Sequence, residues 1–146
     1  EYTYGDINRS TNRGISWSYI SPPGAGNDDN YCFVTPFICC PSNPNILYAG
    51  GVSIYKSING GLDWQGPYGT TVIGGTKILS MYSSATSVDT VYCGAVNGRI
   101  FRSVNAGLNW SNVTDSSITP NRYATDITVN PNKSNEIIFS FHVKQS

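Results

Sequence analysis

Charge is scarce in this chain. Only 12% of its 146 residues are Asp, Glu, Lys or Arg, and nine basic side chains balance nine acidic ones. So sparse and even a distribution lacks the basic stripe that nucleic acid or an anionic membrane would need in a partner. No apolar run reaches eighteen residues, so no membrane span is expected. The sequence opens on "EYTYGDINRS", in which neither an initiating Met nor a signal peptide is read. The sole histidine, His142, belongs to no Ser/His/Asp or Cys/His constellation, and the only glutamates are Glu1 and Glu136. The four cysteines, Cys32, Cys39, Cys40 and Cys93, contain no C-x-x-C pair, so zinc is not signalled. Adjacent in a strand, Cys39 and Cys40 point to opposite faces. Cys93 takes the place of Ala49 in the parallel stretch, which favours small buried hydrophobes over a disulfide lattice. A bridge from Cys32 to Cys39 or Cys40 stays open if the protein is exported.

What the chain has is a repeated phrase. "STNRGISW" (Ser10 to Trp17), "SINGGLDW" (Ser57 to Trp64) and "SVNAGLNW" (Ser103 to Trp110) all read Ser-x-Asn-x-Gly-x-x-Trp. The serines stand 47 and 46 residues apart. A fixed period in this range marks a repeat architecture. Upstream, "ILYAGG…IYKS" parallels "TVYCGA…IFRS", and short apolar runs precede Pro/Asn/Ser turns at "FICCPSNPN" and "ITVNPNKSNE".

Each period reads as four short strands. Strand one is Phe33–Cys40, Lys77–Tyr82 or Ala124–Val129. Strand two is Ile46–Gly50, Thr90–Ala95 or Ile137–Val143. Strand three is Ser53–Ser57 or Arg99–Ser103, and strand four starts at the tryptophan. No sustained helical period occurs. The expected fold is all-β, with β-propeller blades of four antiparallel strands seen as a partial propeller. One segment spans the chain as a blade end over 1–24, a blade over 25–73, a blade over 74–118 and a partial blade over 119–146. That phase predicts a piece of a longer chain, with a closed three-bladed ring as the alternative. The partner expected is the remainder of the propeller or neighbouring copies.

In the motif, Ser10, Ser57 and Ser103 close strand three. Asn12, Asn59 and Asn105 tolerate left-handed backbone and bond their own turn. Gly14, Gly61 and Gly107 supply positive φ. Trp17, Trp64 and Trp110 open strand four with the ring turned back into the blade. The motif resembles the Asp-box, or bacterial neuraminidase repeat, found in sialidases, xyloglucan-type glucanases, sortilin-like receptors and photosystem assembly propellers. That resemblance implies a propeller in which the motif lies at the blade periphery, away from the central face. It also implies a secreted or cell-surface protein. Asn in place of Asp at the third position removes a carboxylate, so the motif is expected to hold no calcium.

Chemistry is harder to find. A sialidase-like site would need an arginine trio, and Arg9, Arg13, Arg99, Arg102 and Arg122 form none by sequence. Arg9, Lys56 and Arg102 each precede a motif serine and read as solvated strand ends. An inverting glucanase would need two carboxylates facing one cleft. The candidates are Asp126, alone in an apolar run, and Asp28 with Asp29 in the loop "PPGAGNDDN". For all three a structural or solvated role ranks above catalysis. Tyr31 and Tyr68, in loops between blades, are the candidates for stacking on a ligand. No cofactor and no metal are expected. The leading function is a non-catalytic extracellular scaffold or binding module for proteins or glycans. The alternative is a fragment of a glycoside hydrolase whose catalytic groups lie mostly elsewhere. Asn-x-Ser/Thr sequences at Asn8, Asn109, Asn112 and Asn132 read as chance matches in so Asn-rich a chain.

Overall fold

The computed structural model describes residues 3–115, 117 and 122–142. Its elements in chain order are β1 (Asn8–Arg9), β2 (Ser18–Tyr19), β3 (Phe37–Cys40), β4 (Asn43–Gly50), β5 (Ile54–Ser57), β6 (Gln65–Tyr68), α1 (Thr70–Ile73), β7 (Ile78–Ser83), β8 (Val91–Ala95), β9 (Ile100–Ser103), β10 (Ser111–Asn112), β11 (Tyr123–Val129) and β12 (Ile137–His142). Two four-stranded sheets, β3-β4-β5-β6 and β7-β8-β9-β10, are antiparallel meanders in chain order. Two further sheets are strand pairs, β1–β2 and β11–β12.

The pairing repeats residue by residue. The residue before each motif serine faces the residue after each motif tryptophan: Arg9 with Ser18, Lys56 with Gln65, Arg102 with Ser111. The pair β1–β2 is therefore the third and fourth strands of a unit. Between strands one and two the facing pairs are Cys39 with Leu47, Ser83 with Val91 and Val129 with Ile137. Hence β11–β12 is a first and second strand. The central strands β4 and β8 are rich in Tyr, Val, Ile and Leu, which fit a pleated surface buried on both sides.

Three apolar clusters sit at the three junctions between successive sheets. Ile7, Ile20, Leu47 and Ala49, joined by Trp64, bind β1–β2 to β4. Tyr48, Ile54, Ile73, Ile78, Met81, Val91, Cys93, Ala95, Phe101 and Trp110 join the two full sheets. Tyr92, Ile127 and Val129 join β8 to β11. Close approach is bought at strand two by glycine. A Cβ on Gly50 would lie 2.8 Å from Ile78 Cγ2, and one on Gly94, its repeat counterpart, 2.6 Å from Ala124 Cβ.

Several sequence expectations need correction. Strand one of the first full sheet starts at Phe37, because Phe33 to Pro36 run outside the ladder. Strand four starts one residue after the tryptophan, at Gln65 and Ser111. The one-turn α1 lies between Gly69 and Gly74, both left-handed, and is too short to leave a periodic signal. All four cysteines are free: Cys39 is exposed, while Cys40 and Cys93 are buried. Val143 lies outside the described residues. No described helix is long and apolar enough to cross a membrane.

Candidate functional site

The three motif turns share one hydrogen-bond set. Each serine hydroxyl accepts the N–H of the motif glycine, from Gly14 to Ser10 at 2.7 Å, Gly61 to Ser57 at 2.8 Å and Gly107 to Ser103 at 2.8 Å. Each hydroxyl donates to the asparagine Oδ1, at 3.0, 2.9 and 3.1 Å on Asn12, Asn59 and Asn105. The same Oδ1 accepts a backbone N–H four residues on, from Ser16, Asp63 and Asn109. Such side-chain to backbone bonds are what Ser and Asn offer in place of a ladder. In the second turn Asn59 Nδ2 also donates to Asp63 Oδ2 at 2.8 Å. The glycines have φ of 87°, 92° and 83°, and the residue before each, Arg13, Gly60 or Ala106, is left-handed too.

These turns also receive bonds from the neighbouring unit. Arg9 Nη1 donates to the Gly60 carbonyl at 3.1 Å, and Lys56 Nζ donates to the Ala106 carbonyl at 2.9 Å. Gly60 and Ala106 occupy the same motif position, and Arg9 and Lys56 the same strand-three position. The Tyr48 hydroxyl donates to that Ala106 carbonyl as well, at 3.1 Å. Lys56 is only 8% exposed, so the reading of this position as a solvated strand end fails there. The recurrence of a basic residue before each motif serine was the signal. Only a view of two adjacent units shows the carbonyl it serves.

The tryptophans are not equivalent in environment. Trp110 is buried in the cluster joining the two full sheets and donates to the Gly107 carbonyl at 2.9 Å. Half-buried Trp64 donates to the Ile20 carbonyl of the preceding unit at 2.7 Å. Trp17 is 63% exposed. In the other two units the ring lies among strand-two residues and residues of the unit before. Neither stands beside β1–β2 among the described residues, which leaves most of the Trp17 ring exposed.

The candidate carboxylates are not brought together. Asp28 and Asp29 are exposed in the loop before β3, where the Asp28 carbonyl accepts from Lys77 Nζ. Asp126 is exposed on β11, in a different sheet, and its Oδ1 accepts the Ile127 N–H at 2.9 Å beside a register shift. Tyr31 is buried, and its hydroxyl donates to the Pro23 carbonyl at 2.9 Å. Burial, with the nearby Tyr55 and Tyr19, pushes that hydroxyl well above the usual tyrosine range. A ring so enclosed cannot stack on a ligand, which corrects the expectation for it. Tyr68 is half-buried against the main cluster, opposite Ile54, and presents a packed ring in place of a free platform. Burial likewise pushes the Cys93 thiol up, so it is no nucleophile. Among the described residues no three His, Cys, Asp or Glu side chains gather as a metal-binding group. A small cleft of about 110 Å³ opens between the 21–31 loop and the β4–β5 turn, lined by Asn30, Tyr31, Ser53 and Tyr55 among others.

No family model matches the chain, and no curated protein matches it. Solved structures do. An ancestral GH74 enzyme superposes with a TM-score of 0.67 at 19% identity, over 94% of this chain and 19% of that one. The GH74 enzyme of Niastella koreensis gives 0.63 at 17% identity, over 93% of this chain and 22% of that one. YCF48 from Cyanidioschyzon merolae gives 0.55 at 16%, over 71% of this chain and 31% of that one. The chain spans about a fifth of the length of the two GH74 enzymes it matches. At these identities the likeness speaks to fold. Together with the sheet order, it makes this chain a partial β-propeller, two four-stranded blades between two half-blades.

Proposed function

We propose that the chain is a non-catalytic propeller module of the Asp-box type, carried on an exported protein and contacting a protein or glycan through loops between blades. The carrying observation is how the polar side chains of the repeat are spent. Ser57, Asn59, Ser103 and Asn105 bond their own turns, and Lys56 bonds the next turn. A loop surface around Asn30 and Tyr55 stays open to meet a ligand. Its cleft, at about 110 Å³, falls below the roughly 300–1,000 Å³ of an enclosing small-molecule site, which suits a shallow contact. The second reading, a fragment of a glycoside-hydrolase propeller, is favoured by the likeness to two GH74 enzymes. It is an argument from fold. One experiment separates them: the chain is assayed on xyloglucan, other β-glucans and sialosides, beside a glycan-binding screen. The module reading expects no turnover, and any binding found should weaken in Tyr55→Ala. Turnover abolished by Asp126→Asn, or by Asp28→Asn with Asp29→Asn, would establish the hydrolase reading instead.

A further inference from the structure

The described residues hold one blade as two halves. The pair β1–β2 carries strands three and four with their turn, and β11–β12 carries strands one and two. The halves lie in separate sheets. The surface beside each half is that of an unfilled blade. In the second full sheet, Ile78 and Met81 of strand one are buried against the blade before it. Their repeat counterparts in the first full sheet are Val34 and Phe37, which are 74% and 51% exposed. These two side chains, with Ile7, Asn8 and Trp17, line adjoining clefts of about 350 and 310 Å³. On the other half, Ile138 of β12 is 71% exposed.

The geometry points to a composite blade: the free edge of β12 in one copy of this chain pairs with the free edge of β1 in a second copy, making a four-stranded sheet in the order β11-β12-β1-β2. The register follows from the two whole blades. Leu47 faces Ser57 and Val91 faces Ser103; Tyr48 faces Lys56 and Tyr92 faces Arg102. The same spacing sets Ile137 opposite Ser10, Ile138 opposite Arg9 and Phe139 opposite Asn8. Three more contacts fall into place with it. Trp17 would lie on Ile137 and Phe139 as Trp64 lies with Leu47 and Ala49. Val34 and Phe37 would meet β12 near Ser140, as Ile78 and Met81 meet Gly50. Arg102 would donate to the Arg13 carbonyl, as Arg9 does to Gly60 and Lys56 to Ala106. Every one of these groups is on this chain, so a second copy is a sufficient partner. Two copies joined head to tail at both ends hold four whole blades and two composite ones, a ring within the usual four to eight in which the facing edges of β12 and β1 are paired.

Sedimentation velocity on the full chain tests this, with a dimer of twice 15.8 kDa expected. A single-chain mass at every concentration overturns it. Ile20 N–H bonds the Ile7 carbonyl, so the alternate residue Asn8 directs its own N–H away from β2. Asn8→Pro therefore removes an outward donor from an edge strand, where proline is tolerated. It should return the mass to one chain while thermal unfolding stays cooperative, and a dimer that survives it overturns the proposal. Register is tested apart from stability. Tyr48 with Lys56 and Tyr92 with Arg102 are non-hydrogen-bonded pairs, whose side chains lie close. Arg9→Cys and Ile138→Cys chains, each also carrying Cys39→Ser, are prepared separately, mixed and oxidised. A disulfide joining one variant to the other is expected, and its absence from the peptide map overturns the register.

Discussion

Gly107 and Gly14 stand at the same motif position with nearly the same backbone, φ 83° and 87°, yet they meet different surroundings. A Cβ on Gly107 would lie 2.7 Å from Tyr48 Cε1, whereas one on Gly14 would meet only Trp17 Cζ2 at 3.7 Å. Either alanine carries the left-handed cost of about 1–2 kcal/mol. Gly107→Ala also drives into a fixed, buried ring, which adds roughly 1–3 kcal/mol. Urea unfolding should show the larger loss at Gly107 by that second amount; equal losses would mean the ring yields freely. Tyr48 supplies a second test at this scale. Burial, with the neighbouring Cys40 and Asp89, raises its hydroxyl above the ordinary value. The folded chain therefore holds this proton more tightly than the unfolded chain does. Stability should be complete below the unfolded tyrosine value of about 10 and decline as pH rises beyond it. Tyr48→Phe should flatten that alkaline decline in urea titrations repeated across pH. The turn residues were legible in the sequence because their bonds are local, spanning two to four positions. Tyr31 misled because burial depends on how the 21–31 loop folds over β4–β5, which no local pattern records.

At the scale of elements, the joint between blades is a side chain from strand three reaching a carbonyl in the next turn. Lys56 is its buried example, and its ammonium shares the Ala106 carbonyl with the Tyr48 hydroxyl. Lys56→Met keeps the aliphatic stem and removes the charged donor. The expected loss is about 1.5–3 kcal/mol, the usual contribution of a hydrogen bond from a charged group. Arg9→Met should cost less, because Arg9 is exposed where Lys56 is not. Thermal unfolding of the two variants checks the order, and a larger loss at Arg9 would contradict it. Strand order was legible from the 46–47 residue period, which fixes equivalent positions without stating what they touch. The joints were not, because their partners lie 50 and 51 residues apart in sequence. The unequal tryptophans follow the same rule: the motif is identical in all three, and the neighbouring sheet decides which ring is covered.

For the whole molecule, the account rests on blades that stabilise one another across their faces. The largest apolar cluster draws on β4, β5 and α1 from one blade and β7, β8 and β9 from the next. Each of these blades has one face uncovered without the other, as in repeat proteins whose stability lies in nearest-neighbour interfaces. Hydrogen exchange followed by mass spectrometry along a denaturant series tests this most directly. The account predicts that amides of β4 and β5 and those of β8 and β9 are the slowest to exchange and lose protection together, at one denaturant concentration. Loss of β4–β5 protection while β8–β9 remains fully protected, or the reverse, would show two independent sheets and contradict it.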